Sequence, residues 1–401
     1  MVAGVAAPAA GASAAIVEPV KPDAKLLGLL AVGHLTVDTI QGSLPALLPF
    51  LKATFALSYA AAGTVMLMAT VTSSVIQPLF GYLSDRSARR WILPASVALA
   101  GIGFALTGFT RSYPVLLGFV VLMGLGVAAW HPEGYRTASN VAGDKKATGI
   151  SWFSLGGNVG IALGPPVITL LVTTFGLAGS LGLLIPAGLV ALLLMAALPM
   201  LSVPARPRAA SVAAPEARNM PGAMAILIVV VMLRSWTQLG FTTFVPFYYV
   251  DHLKSDPRIV GPLLFVFLGA GALGTIAAGP VADRFGARPF MDWASLLAAP
   301  FAVGFLLTRG ALAFVLLGAV GFTLISTFTV SVVLGQAYLP RNLGMASGMI
   351  VGFAIGTGGL GVAALGGVAD RWGLPLALWL TALMPVGGFA ASLFLPEPTH
   401  R

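Results

Sequence analysis

The feature that most constrains this chain is a succession of twelve apolar runs, each long enough to cross roughly 30 Å of hydrocarbon at about 1.5 Å per helical residue. They fall near 26–50, 58–82, 91–109, 113–138, 148–174, 178–201, 222–250, 258–282, 289–307, 311–338, 344–369 and 374–395. The bilayer core offers no water to backbone amides, so spanning runs close their hydrogen bonds internally as helices. The expected fold class is an all-α membrane protein with twelve transmembrane helices. Only 9% of the residues are charged and 58% are hydrophobic, too little polar surface to wet a soluble globule of 401 residues.

The sizeable polar break at 202–221 carries Arg206, Arg208 and Arg218 among Pro and Ala and divides the runs six and six. The expected organisation is a disordered tail at 1–25, a six-helix bundle at 26–201, a cytoplasmic linker at 202–221, a second bundle at 222–395 and a short tail at 396–401. Of 22 Lys and Arg, 15 fall on the side that holds both termini, so the positive-inside rule places the termini in the cytoplasm.

The halves repeat each other. Gly81-Tyr-Leu-Ser-Asp85-Arg86 after the second run matches Gly279-Pro-Val-Ala-Asp283-Arg284 after the eighth, and Leu48-Pro49-Phe50 matches Val245-Pro246-Phe247 at nearly the same offset. A parallel repeat of six-helix bundles places a site at mid-membrane, between halves that rock against each other. The loop charges Asp85, Arg86, Arg89 and Arg90, with Asp283 and Arg284, are candidates for a gate that engages in one state and releases in the other. Asp370-Arg371 sits in a similar string on the opposite side, as a coincidence of pattern or an extracellular clasp.

Several classes of chemistry are disfavoured. The chain has no Cys, which removes disulfides, thiolate metal sites and cysteine nucleophiles. No phosphate loop, zinc-protease helix or nucleophile elbow is present. The net charge of +9 is not arranged as a basic stripe interleaved with aromatics, so no nucleic-acid partner is expected. His34, His131, His252 and His400 lie mostly on different runs, so no metal site is expected either, and no cofactor.

Ionisable groups inside the runs are expensive, about 2.5–3.5 kcal/mol at the bilayer centre, and so mark function or pairing. His34, Asp38 and Gln41 are spaced to form one polar stripe on the first run. Arg234 lies equally deep in the seventh run, and a permanent Asp38–Arg234 ion pair fastening the halves is one reading. Glu133 and Arg136 share a helical face, whereas a regular helix turns His131 away from both. Asp38 and Glu133, with His34 and His131, are candidate proton carriers. Arg234, Gln41, Gln238, Trp236, Asn158 and Arg136 are candidate contacts for a polar or anionic substrate, because guanidinium binds carboxylate and phosphonate bidentately.

The repeated Gly-x-x-x-Asp-Arg loop together with twelve runs resembles the major facilitator superfamily. Within it, the strings His131-Pro132-Glu133-Gly134-Tyr135-Arg136, Gly156-Gly157-Asn158-Val159-Gly160 followed by Leu163-Gly164-Pro165, and Gly352 to Gly361 resemble the fosmidomycin resistance family of efflux proteins. The resemblance implies a monomeric, proton-driven exporter of a toxic small molecule in a bacterial inner membrane. The sequence departs from the superfamily pattern at Ala88, at Ala287 and at Pro166-Val167, where an antiporter-like motif is incomplete. An Asp38–Arg234 pair would favour symport of a proton with an anion, whereas the resemblance implies antiport, so both directions stay open.

Overall fold

Asp23 begins the first helix. Its carboxylate accepts from the backbone N–H groups of Lys25 and Leu26 at 3.1 and 3.0 Å, satisfying donors that a helix start cannot pair internally. Helix α1 (Ala24–Phe55) therefore starts before residue 26, which corrects the expected tail. The computed structural model describes residues 22–86, 90–143, 145–201 and 218–397, without the side chains of 83–86 and 146–148. The expected tail over 1–21 and most of the 202–221 linker lie outside the described residues.

The first half continues with α2 (Tyr59–Thr70), a π-helical turn (Val71–Val75), α3 (Gln77–Arg86), α4 (Ile92–Leu106), α5 (Tyr113–Val141), α6 (Lys146–Phe175) and α7 (Leu184–Ala197). The second half holds α8 (Pro221–Phe247), α9 (Val260–Phe285), α10 (Ala287–Leu307), α11 (Gly310–Tyr338), α12 (Leu343–Ser347), a π-helical turn (Gly348–Ala354), α13 (Gly358–Trp372) and α14 (Leu374–Ser392). Length and apolarity alone identify nine membrane-crossing stretches among the described residues, one of them the 49-residue Gly149–Ala197. The 3-10 turn Gly176–Leu183 divides that stretch in two, and α1 and α4 lie on two further expected runs. Helix α4 has only 15 residues, and α1 carries its polar stripe mid-helix.

The outer faces are apolar, as a lipid solvent requires. On α7, Ala187, Val190 and Leu194 are buried while Ile185, Leu189 and Leu192 are exposed. Inside, glycines set how close helices come. Gly156, Gly160 and Gly164 recur every four residues on α6, and a Cβ at each would strike the carbonyl oxygens of Ala31, Leu35 and Thr39 on α1. Helices α1 and α6 thus touch backbone to backbone, the small-xxx-small mode by which membrane helices gain van der Waals contact.

Helices α4, α5, α6 and α7 pack with α1; α9, α11, α13 and α14 pack with α8; and α10 packs with α9, α11 and α14. The halves meet where α2 lies on α13 and where α6 lies on α9. A shift by six runs carries α2 onto α9 and α13 onto α6, so these two contacts are one arrangement made twice, as a parallel repeat requires.

Candidate functional site

The close approach of α1 to α6 sets the polar centre of the first half. Asp38 of α1 points between two imidazoles, with Oδ2 3.3 Å from His34 Nε2 and Oδ1 3.4 Å from His131 Nε2. Helix α5 runs through Pro132 without a break and carries His131 to α1. His131 meets Asp38, whereas Glu133 and Arg136 on the same helix pair with each other. His34 and His131, on different runs, nevertheless meet, with their rings edge to face at 5.1 Å.

The hydrogen bonds of the two imidazoles give the cluster its chemistry. His34 Nδ1 donates to the carbonyl of Phe153 and His131 Nδ1 to that of Val127, each at 2.9 Å. A carbonyl can only accept, so both Nδ1 atoms carry hydrogen and a neutral ring turns a bare Nε2 lone pair toward the carboxylate. Two such contacts repel unless protons lie between them. The cluster is therefore built to be held together by protons.

His34, Asp38 and His131 are also the described residues whose donor atoms gather closely enough, within 4.8 Å, to consider a metal ion. The backbone of Gly157 on α6 closes the cluster from above, where even a Cβ would come 2.5 Å from His34 Nε2 and 2.7 Å from Asp38 Oδ2. On that side the backbone leaves no room for a further ligand to approach His34 Nε2 and Asp38 Oδ2.

Arg234 stands apart in α8. It is 7% exposed, donates through Nη2 to Gln238 Oε1 at 2.9 Å, and leaves Nε and Nη1 without hydrogen-bond partners. No ion pair joins it to Asp38 or to any other carboxylate among the described residues, so the permanent-pair reading is corrected. The guanidinium borders a void of about 10 Å³ beside Ser295 and Thr327, and the ring of Phe328 lies 6.0 Å away.

Between the halves is a cavity of about 200 Å³. Gln41, Met66, Thr70 and Ser73 line it from the first half, and Gln238 and Thr242 from the second. Gln41 is one turn from Asp38 and Gln238 holds Arg234, so each polar centre reaches the cavity through a glutamine. Ser73 joins this wall from the π-helical turn, a position that no polar spacing in the chain marks.

Other expected contacts sit elsewhere. Trp236 gives its indole N–H to Thr357 Oγ1 at 3.3 Å and packs over Gly361, away from the cavity. Asn158 is half-buried beside Gly157 and does not line the cavity. Arg136 pairs with the buried Glu133 at 2.9 Å on α5, the partnership their spacing predicts. Gly81 on α3 faces Pro132 of α5, whereas Arg89 and the side chains of Asp85 and Arg86 lie outside the described residues. Asp283 and Arg284 are exposed at the end of α9.

Comparison with known proteins fits this geometry. The family model of the Major Facilitator Superfamily matches residues 30–351. The chain belongs to that superfamily. This facilitator is 30% identical to the Fosmidomycin resistance protein of Escherichia coli (strain K12) over 98% of both chains. It is 32% identical to YfnC, an uncharacterised transporter of the same type from Bacillus subtilis (strain 168), over 94% of both. Its fold matches a bacterial homologue of the human lysosomal transporter Spinster, in an inward-facing and occupied conformation, with a TM-score of 0.73 and 17% identity over 92% of this chain and 96% of that one. The nucleoside transporter NupG superposes with a TM-score of 0.74 and 15% identity, over 92% and 99%. The facilitator is thus a multi-pass membrane transporter and not an enzyme.

Proposed function

We propose that this transporter is a proton-coupled exporter of a small, anionic toxic compound of the fosmidomycin kind. It would work by alternating access in a bacterial inner membrane, as a monomer with both termini in the cytoplasm. The observation that carries the reading is Arg234. A buried guanidinium with two unsatisfied nitrogens and no carboxylate partner is costly in a membrane, and an anion supplied by the substrate removes that cost. Fosmidomycin is a phosphonate, which matches a bidentate guanidinium site. The cavity is below the ~300 Å³ at which drug-sized pockets begin, which favours a compact solute.

The separation of the two centres supports antiport. Were Arg234 to neutralise Asp38, an anion that drew the arginine away would leave the carboxylate ready for a proton, and the two would travel together. Asp38 instead pairs with His34 and His131, so proton and anion occupy different halves and act on each other through the conformational equilibrium. In this scheme Asp38, His34 and His131 carry protons, with Glu133 a further acid beside Arg136. Gln238 and Gln41 pass the substrate's polar end to Arg234, and the Asp85 and Asp283 loops gate the cytoplasmic side.

The deciding experiment pairs fosmidomycin susceptibility of a deletion strain with proton flux in proteoliposomes. Export predicts sensitised cells and proton movement opposite to drug. Unchanged susceptibility, with lost growth on an organic anion and co-directional flux, would establish uptake by symport instead.

A further inference from the structure

The hexapeptide Val-Ala-Asp-Arg-aromatic-Gly occurs twice, as Val281–Gly286 and Val368–Gly373, differing only by Phe285 against Trp372. Each copy ends a helix in the same way. The terminal glycines have φ/ψ of 97/145 and 91/152, a left-handed φ that other residues avoid. Their N–H groups donate to Ala282 and Ala369 at 2.8 and 3.0 Å. The copies terminate α9 and α13 at opposite ends of the molecule, on the side assigned inward and on the side assigned outward by the Lys and Arg distribution.

Only one copy is engaged. Asp283 is exposed and has no hydrogen-bond or ion-pair partner among the described residues. Asp370 reaches across to the other half, where its two carboxylate oxygens accept from the backbone N–H groups of Tyr59 at 2.7 Å and Ala60 at 2.9 Å. These are the first free donors of α2, and Ser58 Oγ accepts the next, from Ala61, at 3.1 Å. An acid from α13 thus completes the N-cap of a helix in the opposite half, and its negative charge meets the positive end of the α2 dipole.

The packing below it fixes the reach. Gly366 lies against the Tyr59 carbonyl and Ala60 Cα, while Gly63 on α2 lies against the Val362 carbonyl, so the two helices touch through their backbones. Asp370 follows Gly366 by four residues and therefore shares that face. A second acid from the second half closes the same rim. Asp251 Oδ2 lies 3.1 Å from Lys52 Nζ of α1 and accepts from the Tyr59 hydroxyl at 3.0 Å, while the Lys52 ammonium sits 4.5 Å over the Tyr59 ring. Tyr59 is the meeting point, with its backbone held by Asp370 and its side chain by Asp251.

We propose that Asp370 is an interdomain latch, a borrowed helix cap that holds the two halves shut at the Tyr59 end, with Asp251, Lys52 and Tyr59 as its brace. The latch suits a gate because it is weak and reversible. Both groups are close to water, so parting the halves exchanges the carboxylate for solvent at α2 and strands no buried charge. An interior ion pair there would lock the state.

The absence of native cysteine allows a direct test. A cysteine at Met66, which lines the central cavity from α2, reports opening when right-side-out and inverted vesicles are treated with a membrane-impermeant thiol reagent. Replacing Asp370 by Asn removes the charge and one of two acceptors at constant shape. Labelling of the Met66→Cys protein from the Tyr59 side is expected to rise about three- to tenfold, the factor set by losing one helix cap. Asp251→Asn should raise it further, and Asp256→Asn is the control, because Asp256 caps Arg258 N–H within its own half at 2.8 Å. Unchanged labelling from that side in both Asp370→Asn and the Asp251→Asn, Asp370→Asn double variant would overturn the latch. So would an equal rise with Asp256→Asn. Monodisperse elution of each variant establishes folding, and the readout does not depend on the substrate or the coupling ion.

Discussion

Asp38 and Arg234 stand almost equally far into corresponding helices of the two halves, 14 residues past the start of α1 and 13 past the start of α8, and they do not pair. One charge is answered by two histidines of its own half. The other has a single glutamine. That asymmetry gives each half a separate task and makes the tasks separable by mutation.

Replacing Asp38 by Asn is expected to abolish proton-driven transport while leaving substrate-for-substrate exchange intact. The two imidazoles would face an uncharged amide, and the cluster could no longer cycle between loaded and empty. Proton-coupled uptake into inverted vesicles is the measurement, and a wild-type rate there would remove Asp38 from the coupling path.

His131→Gln tests the same cluster from α5. Glutamine can still donate to Asp38 but carries no exchangeable charge, so coupling should fall with little loss of folding. A thermal unfolding curve unchanged within a few degrees, beside a proton-to-substrate ratio lower than that of the parent, is the expected pair of results.

Arg234→Gln should weaken binding of an anionic substrate by on the order of ten- to a hundredfold, the range for a charged hydrogen bond. Arg234→Lys should recover only part of it, since an ammonium lacks the planar fork. Equilibrium binding of fosmidomycin to detergent-purified protein decides the matter. Equal affinity across all three proteins would show that the anion binds elsewhere.

Gly157→Ala places a methyl group against His34 Nε2 and Asp38 Oδ2. Coupling should fail while the Arg234 side keeps its affinity. Gly160→Ala one turn on meets the Leu35 carbonyl and should instead cost stability, about 1–3 kcal/mol, read as a lowered unfolding temperature.

Asp85→Asn is expected to slow transport with substrate affinity nearly unchanged, as a gate residue requires. A large loss of binding would assign Asp85 to the site or to the fold.

Much of the architecture was already written in the chain. Hydrophobic runs of membrane-crossing length dictate helices because lipid leaves the backbone no other partner, and the offset between the Gly81 and Gly279 loops reports the duplication. The glycines at 156, 160 and 164 admit the close contact of α6 with α1, since nothing larger fits between the two backbones. The polar stripe His34, Asp38, Gln41 was legible for the same reason: a charge in an apolar run has to be kept for something.

What the sequence could not decide was which of these groups meet. His34 and His131 are 97 positions apart, and only the α1–α6–α5 packing brings both rings to one carboxylate. The Asp38–Arg234 pair was a reasonable reading of two opposite charges at equal depth, yet helix rotation and three-dimensional neighbours settle pairing, and local spacing carries neither. Asp370 makes the point most plainly. Its hexapeptide is nearly identical to the one around Asp283, so local sequence gives both the same helix end. Only the tertiary arrangement lays α2 beside one of them and leaves the other in solvent.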